Sequence, residues 1–363
     1  MVVSQAVEKP NTAERLAATL SEAASAGHAV FPVGGGRAMQ MGDAPDREGI
    51  ELHTSGLDRV LEHSQGDMVV SVEAGVSLEV LQEELGRSNQ FLPLDPHASP
   101  GHTVGGLLAT GWTGPLRFRY GSPRDYLIGI RVALPDGKLA SAGGRVVKNV
   151  SGYDLMKLHL GALGTLGVIV AASFKVFPRP LSDITVATDR SDLVQAWADV
   201  ERALALPMPP AALEIWSNGG VAARFMGSRD AARAMVSELG WEPLPDEIWD
   251  QHAQRSRDAW ARISLPRSQL RSMIEKLGPD AEWWASPGIG IVNWEIAGGA
   301  EEVRKVRAAA EAAGGSLVIM AGPEELRREV GTWGSAPATL PLMRRLRDAF
   351  DPGRTINPGR FVV

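Results

Sequence analysis

Residues 100–111 read PGHTVGGLLATG, and Gly114 follows closely. The glycines here are mixed with leucine, valine and alanine in place of the serine and asparagine of a flexible linker. Such a stretch describes backbone packed closely against something flat. Two further clusters flank it in sequence. Gly34-Gly35-Gly36-Arg37 runs straight out of the apolar strand expected at Ala29–Val33, where successive N–H groups without side chains in the way form a nest for an anion. The third, GALGTLGVI at 161–169, places glycines just ahead of an apolar run at 167–176. One such cluster is an ordinary turn, but three in one domain point to a bound group.

Standard phosphate-binding fingerprints do not account for them. G-x-G-x-x-G starting at Gly34 requires glycine at 39, where Met39 stands, and no GK[ST] occurs. Neither a Rossmann dehydrogenase nor a P-loop NTPase is supported.

Working outward, a helix is expected from Asn11 or Thr12 with Glu14 available for a capping box, followed by the Ala29–Val33 strand. A strand at 68–73, a helix at Leu78–Gly86 and a strand at 91–94 repeat the pattern, and Pro135-Asp136-Gly137 turns a hairpin between 128–134 and 138–141. Beyond Pro180 the glycine motifs thin out, and eight of the ten tryptophans lie between 181 and 294. Helices at 192–204, 231–239 and 301–313 and strands at 211–216, 290–295 and 316–320 suggest a separate α+β cap. A basic amphipathic helix at 342–350 and the tail NPGRFVV close the chain, and that tail is placed to return to the first domain.

A chain of 363 residues has room for two or three cores. Its net charge of −6 opposes a nucleic-acid surface or an anionic membrane surface. With no cysteine, disulfides, thiolate catalysis and iron–sulfur ligation within this chain are excluded. Seven histidines without HxxH or HExxH spacing, and acidic residues without calcium-loop spacing, give no metal site. The N-terminal residues hold no apolar run after a basic region, so the expectation is a cytoplasmic chain with no direct membrane insertion, attached to the inner membrane at most through partners.

The order PVGGGR (32–37), DPH-x3-G-x3-GG (95–106), YGSPRDYLIGIRVALPDGK (120–138), KNVSGYDLMKLHLGALGTLGVI (148–169) and FDPGRTINPGRF (350–361) resembles the glycolate oxidase FAD-binding subunits. These belong to the p-cresol methylhydroxylase and vanillyl-alcohol oxidase-type flavoproteins. The resemblance is dense over 28–180 and 342–361 and general between 181 and 341. It implies an α+β fold with a two-subdomain FAD-binding domain at 1–180, a smaller α+β cap at 181–341 and a C-terminal segment at 342–363 that returns to the first domain.

FAD then lies extended between the two subdomains, its pyrophosphate held by backbone amides of two glycine loops. Carried across, Gly34, Gly35, Gly36, Arg37 and Ala38 form the first loop. Pro100, Thr103, Gly105, Gly106, Thr110 and Gly111 form the second. Ser122 and Asp125 flank the flavin, and Gly164, Gly167, Val168 and Ile169 hold the adenosine end. Some relatives tether the flavin through a histidine two places after the last glycine of the first loop; here that position is Ala38, so FAD is expected to be non-covalent, with His97 and His102 as the remaining candidates for a tether.

The resemblance also implies partners, a paralogous FAD-containing catalytic subunit and an iron–sulfur subunit. Related subunits that oxidise 2-hydroxy acids carry a histidine-rich cap motif, whereas residues 181–341 hold one histidine, His252. Oxidising a 2-hydroxy acid calls for a base, a cation for the carboxylate and a hydride acceptor. The catalytic residues are therefore left unassigned, and the chain is expected to bind flavin or relay electrons without oxidising the substrate itself. In the alternative, a self-sufficient oxidoreductase, Arg117, Arg119 or Arg224 binds the carboxylate. A scaffold without cofactor is opposed by the intact glycine clusters.

Overall fold

The computed structural model describes residues 4–96, 100–144, 154–190, 192–245, 248–249 and 259–363. It is a mixed α+β chain of two units, one formed by residues 1–113, 122–179 and 336–363, the other by 114–121 and 180–335.

In the first unit, strands Ser4–Glu8, Gly49–His53 and Ala29–Val33 make a parallel sheet with Gly49–His53 in the middle. A five-stranded antiparallel sheet runs Val60–Ser64, Val69–Glu73, Val168–Lys175, Leu127–Ala133, Leu139–Gly143. The helix Ala13–Ser25 begins at Thr12, whose hydroxyl accepts the Arg15 N–H. Arg15, not Glu14, stands three residues after the cap, so no capping box forms there; Glu14 pairs with Arg131 at 3.1 Å. The buried stripe Leu16, Ala17, Leu20 and Ala23 meets Val30, Leu52, Val168, Val170 and Ile356. Burying each of the two leucines contributes about 1.5–3 kcal/mol.

Two local expectations differ from the structure. The apolar stretch 91–94 pairs only over Gln90–Phe91, against Phe177–Pro178, because Pro93 lacks an N–H for a ladder. Residues Val104–Thr110 form a helix in place of a loop, capped by Thr103, with Leu107 and Leu108 fully buried and Gly111 in the left-handed conformation at its end.

The second unit is built on one antiparallel sheet of eight described strands: Glu242–Leu244, Ser182–Asp189, Gly220–Gly227, Ala212–Trp216, Trp283–Ser286, Ile291–Glu295, Trp260–Ser264, Ser316–Ala321. Helices Leu193–Ala205, Arg229–Leu239, Leu270–Leu277 and Ala300–Ala312 contribute to the core on one face, where Trp197, Trp241, Trp283 and Trp294 are buried. Strands Gly220–Gly227, Trp260–Ser264 and Trp283–Ser286 were not anticipated from the sequence. No helix among the described residues is long and apolar enough to cross a membrane.

Candidate functional site

The strand Ala29–Val33 delivers its chain directly into Gly34-Gly35-Gly36. A side chain at Gly35 would place its Cβ 1.7 Å from the Gly101 carbonyl oxygen, and one at Gly34 would come within 2.2 Å of the Thr103 hydroxyl. The first glycine loop therefore lies directly on the segment leading into the Val104–Thr110 helix, an approach open only to glycine. At Gly36, φ is +72°. Among the described residues, the backbone amides of Gly34, Gly35 and Gly36 donate to no protein acceptor.

These glycines line a cleft with Arg37, Ala38, Met39, His102, Thr103, Gly106, Ala109 and Thr110. Its remaining wall comes from Pro32, Leu163, Asn357 and Arg360. The C-terminal tail reaches it by bridging to the first strand: Val30 donates to the Thr355 carbonyl at 2.8 Å, and Asn357 donates to the Val30 carbonyl at 2.9 Å. The Asn357 amide then donates to the Leu163 carbonyl at 2.6 Å, while its Oδ1 is buried with no partner. Arg360 donates to the carbonyls of Met39 and Met41, fixing the turn after the glycine loop.

The structure separates the expected site residues by role. Gly106 opens onto the cleft, and an added Cβ would meet only the Thr103 hydroxyl, at 3.1 Å. Gly105 points elsewhere: its Cβ would lie 2.8 Å from that of Ala74, so its glycine serves helix-to-strand packing. The Thr110 hydroxyl donates to the Gly106 carbonyl at 2.9 Å. Pro100 is exposed beside Gly101. Ser122 and Asp125 bond to each other as the capping box of the short helix Pro123–Tyr126, apart from the residues lining the cleft. Val168 and Ile169 are buried in their strand, Gly167 lies against Ala133 and Leu134, and Gly164 faces Asn357. Residues 148–153 of the resemblance, His97 and His252 lie outside the described residues. His102 is buried with its ring edge-on to Trp112.

Asn357, Arg360, Leu163 and Pro32 carry walls of the cleft that the sequence reading did not assign. Asn357 and Leu163 hold positive φ without being glycine, and the NPGR tail was the available signal. A cavity of about 800 Å³ beside Trp216, Trp241 and Trp283 in the second unit shares no residue with this cleft.

The cleft suits an extended dinucleotide such as FAD. Unpaired amides face it at Gly34–Gly36, a Cβ at Gly106 would enter it, and Asn357 leaves an acceptor buried in its wall.

The three candidate carboxylate-binding arginines sit in the second unit. Arg224 makes a two-pronged pair with Asp183 at 2.8 and 2.7 Å. Arg119 lies over the Tyr120 ring. Arg117 lies close to Arg262, a residue not singled out from the sequence.

The family described as FAD binding domain matches residues 4–143. The glycolate oxidase subunit GlcE of Escherichia coli is 31% identical over 307 residues, covering 83% of this chain and 84% of that protein. The glycolate oxidase subunit GlcD of Bacillus subtilis is 24% identical, covering 92% of this chain and 83% of its own length. A D-lactate dehydrogenase of Archaeoglobus fulgidus is 33% identical over 64% of this chain and 52% of that protein. The solved structure of an alkyldihydroxyacetonephosphate synthase superposes with a TM-score of 0.73 over 97% of this chain and 76% of that one, and at 15% identity this likeness speaks to the fold.

Proposed function

The chain belongs to the family of FAD-dependent oxidoreductases that includes the glycolate oxidase subunits, and on that premise we propose that it is the FAD-holding, electron-relaying subunit of a complex oxidising a 2-hydroxy acid such as glycolate. The carrying observation is the row of unpaired amides at Gly34, Gly35 and Gly36 opposite Gly106. FAD, when bound, supplies the two-electron acceptor of such an oxidation.

The chain's own residues divide the work of holding it. The three glycine amides take the pyrophosphate oxygens, and Arg37 adds a positive charge at the same loop. Gly106 leaves the space a side chain would fill. Asn357 offers its buried Oδ1, and Leu163 closes the wall beside it. Ala38 provides no nucleophile and the chain no cysteine, which favours non-covalent binding.

The partner reading draws on the same composition. A chain without cysteine ligates no iron–sulfur cluster, so electrons leave through another protein, proposed as an iron–sulfur subunit. With one histidine in 181–341, the proton removal is assigned to a paralogous flavin subunit. The test is glycolate-dependent dye reduction, measured with the purified chain and with the co-expressed complex. Activity of the complex alone supports the subunit role; full activity of the isolated chain overturns it. Self-sufficient oxidation is the second reading, favoured by the two neighbouring arginines, Arg117 and Arg262.

A further inference from the structure

Five strands of the second unit begin or finish at one end of its sheet, the end where Ser182–Asp189 finishes. The register there sets Asp189 opposite Gly220, Glu242 opposite Ala187 and Trp216 opposite Trp284, and the Ser217 N–H donates to the Trp283 carbonyl at 3.0 Å. These strand ends and the loops between them surround the cavity of about 800 Å³. Backbone contacts hold its rim: the Arg190 N–H donates to the Gly219 carbonyl at 3.2 Å. At Gly219, where φ is +89°, a Cβ would lie 1.7 Å from the Arg190 carbonyl oxygen.

The walls combine indole surface with free carboxylates. Trp216, Trp241 and Trp283 line the cavity together with the exposed Asp189, Glu242 and Glu282. Among the described residues none of these carboxylates forms an ion pair, and Glu282 accepts the Ser217 hydroxyl at 2.9 Å. The cation of the wall, Arg190, is already engaged by the buried Asp199 at 2.7 Å, which also pairs with Arg202 at 3.0 Å. Negative charge is thus left over. Asp189 and Glu242 stand on neighbouring strands as diagonal neighbours of one face, about 7–8 Å apart, near enough for one ammonium to bridge. A second feature is independent of charge. Trp241 is 6% exposed, and its indole Nε1 is buried with no acceptor among the described residues. A buried N–H without an acceptor is costly, and an oxygen on a molecule in the cavity that Trp241 lines removes that cost.

We propose that this cavity binds an amino sugar, with Asp189 and Glu242 on its ammonium, the Trp241 N–H on a hydroxyl oxygen and Glu282 accepting a further hydroxyl. Each requirement comes from a different part of the wall. Unpaired carboxylates select a cation, and the indole N–H selects an oxygen acceptor, which a plain alkylammonium lacks. Indole rings suit an apolar C–H face and a neighbouring cation. A sugar carrying an amine meets all three. The same carboxylates repel an anion, which separates this site from the oxidation of a 2-hydroxy acid. None of its residues lines the FAD cleft, so the inference stands or falls separately from it.

The experiment titrates the full-length protein, as purified, with D-glucosamine, D-glucose and butylammonium, followed by calorimetry and tryptophan fluorescence. Saturable binding of glucosamine is expected, with glucose and butylammonium each weaker by about tenfold or more. Glu242→Gln should weaken glucosamine about tenfold. Trp241→Phe, which keeps ring surface and removes the N–H, should weaken it about threefold to tenfold, with flavin content unchanged in both variants. Several outcomes overturn the proposal: no saturable binding of glucosamine, glucose or butylammonium binding as tightly, or affinity within about twofold of the unaltered chain in both variants. Should Trp241→Phe fail to fold, the exposed Glu242→Gln and Asp189→Asn decide: weakening by either supports the site, and unchanged affinity in both overturns it.

Discussion

The side-chain amide of Asn357 donates to the backbone carbonyl of Leu163 at 2.6 Å, tying the C-terminal tail to the last glycine-rich turn across the wall of the cleft. Asn357→Leu would leave that carbonyl unsatisfied and remove the cleft's buried acceptor. A loss of about 1–3 kcal/mol is expected, together with weaker FAD retention. Denaturant unfolding with and without added FAD checks this; an unchanged midpoint in both would count against the role given to Asn357.

Gly35 and Gly36 should respond differently to alanine. At Gly35 the new Cβ meets the Gly101 backbone at 1.7 Å, which only movement of one loop relieves, with a cost in the overpacking range of about 1–3 kcal/mol and loss of FAD. At Gly36 no atom lies within 4 Å, and only the φ of +72° opposes the substitution, at about 1 kcal/mol. Parallel urea melts rank the two; a larger loss at Gly36 would contradict the packing described here.

Arg347 and Asp351 form a buried pair at 3.3 Å, 1% and 0% exposed. Arg347 also donates to the carbonyls of Thr165 and Ile356, and Asp351 accepts the N–H groups of Thr355 and Ile356. Arg347→Met leaves a buried carboxylate unpaired and should cost about 3–5 kcal/mol, with the tail cut early in limited proteolysis. Equal stability and equal protease resistance would show that the tail is held by other contacts.

His159 is buried against Phe350, and desolvation lowers its pKa to about 4. The native state keeps the ring neutral, whereas the unfolded chain takes up a proton near 6.5. Stability should therefore fall as pH drops from 6.5 toward 4, by up to about 3 kcal/mol from this group. His159→Phe should flatten that part of the profile, and an unchanged slope would assign the acid sensitivity to other groups.

Much of the first unit was legible because its signals are local. Gly34–Gly36 after an apolar strand, the helix at Leu78–Gly86 and the hairpin turn at Pro135–Gly137 each declare themselves within a few residues. The Val104–Thr110 helix was not legible, since two glycines in its first turn lower helix propensity and what compensates is tertiary: Gly105 packs on Ala74, and Leu107 and Leu108 fill the core. For the same reason Gly105 and Gly106 look alike in sequence and differ in role. Asn357 and Leu163 meet only after the chain has returned on itself. In the second unit, Asp189, Trp216, Glu242 and Trp283 come from four strands, and only sheet register gathers them.

The proposed non-covalent hold of the cleft on FAD is tested most directly by Gly106→Val. The substitution should spare the fold, because a Cβ there meets only the Thr103 hydroxyl, at 3.1 Å, and valine is a better helix residue than glycine. The measurement is flavin content of purified protein, followed by separation of flavin from polypeptide after heat or acid denaturation. The unaltered chain is expected to be yellow and to release all its FAD, and Gly106→Val to be colourless with an unchanged circular dichroism spectrum. Flavin that stays with the denatured polypeptide, or a Gly106→Val protein with its full complement of FAD, would contradict the account.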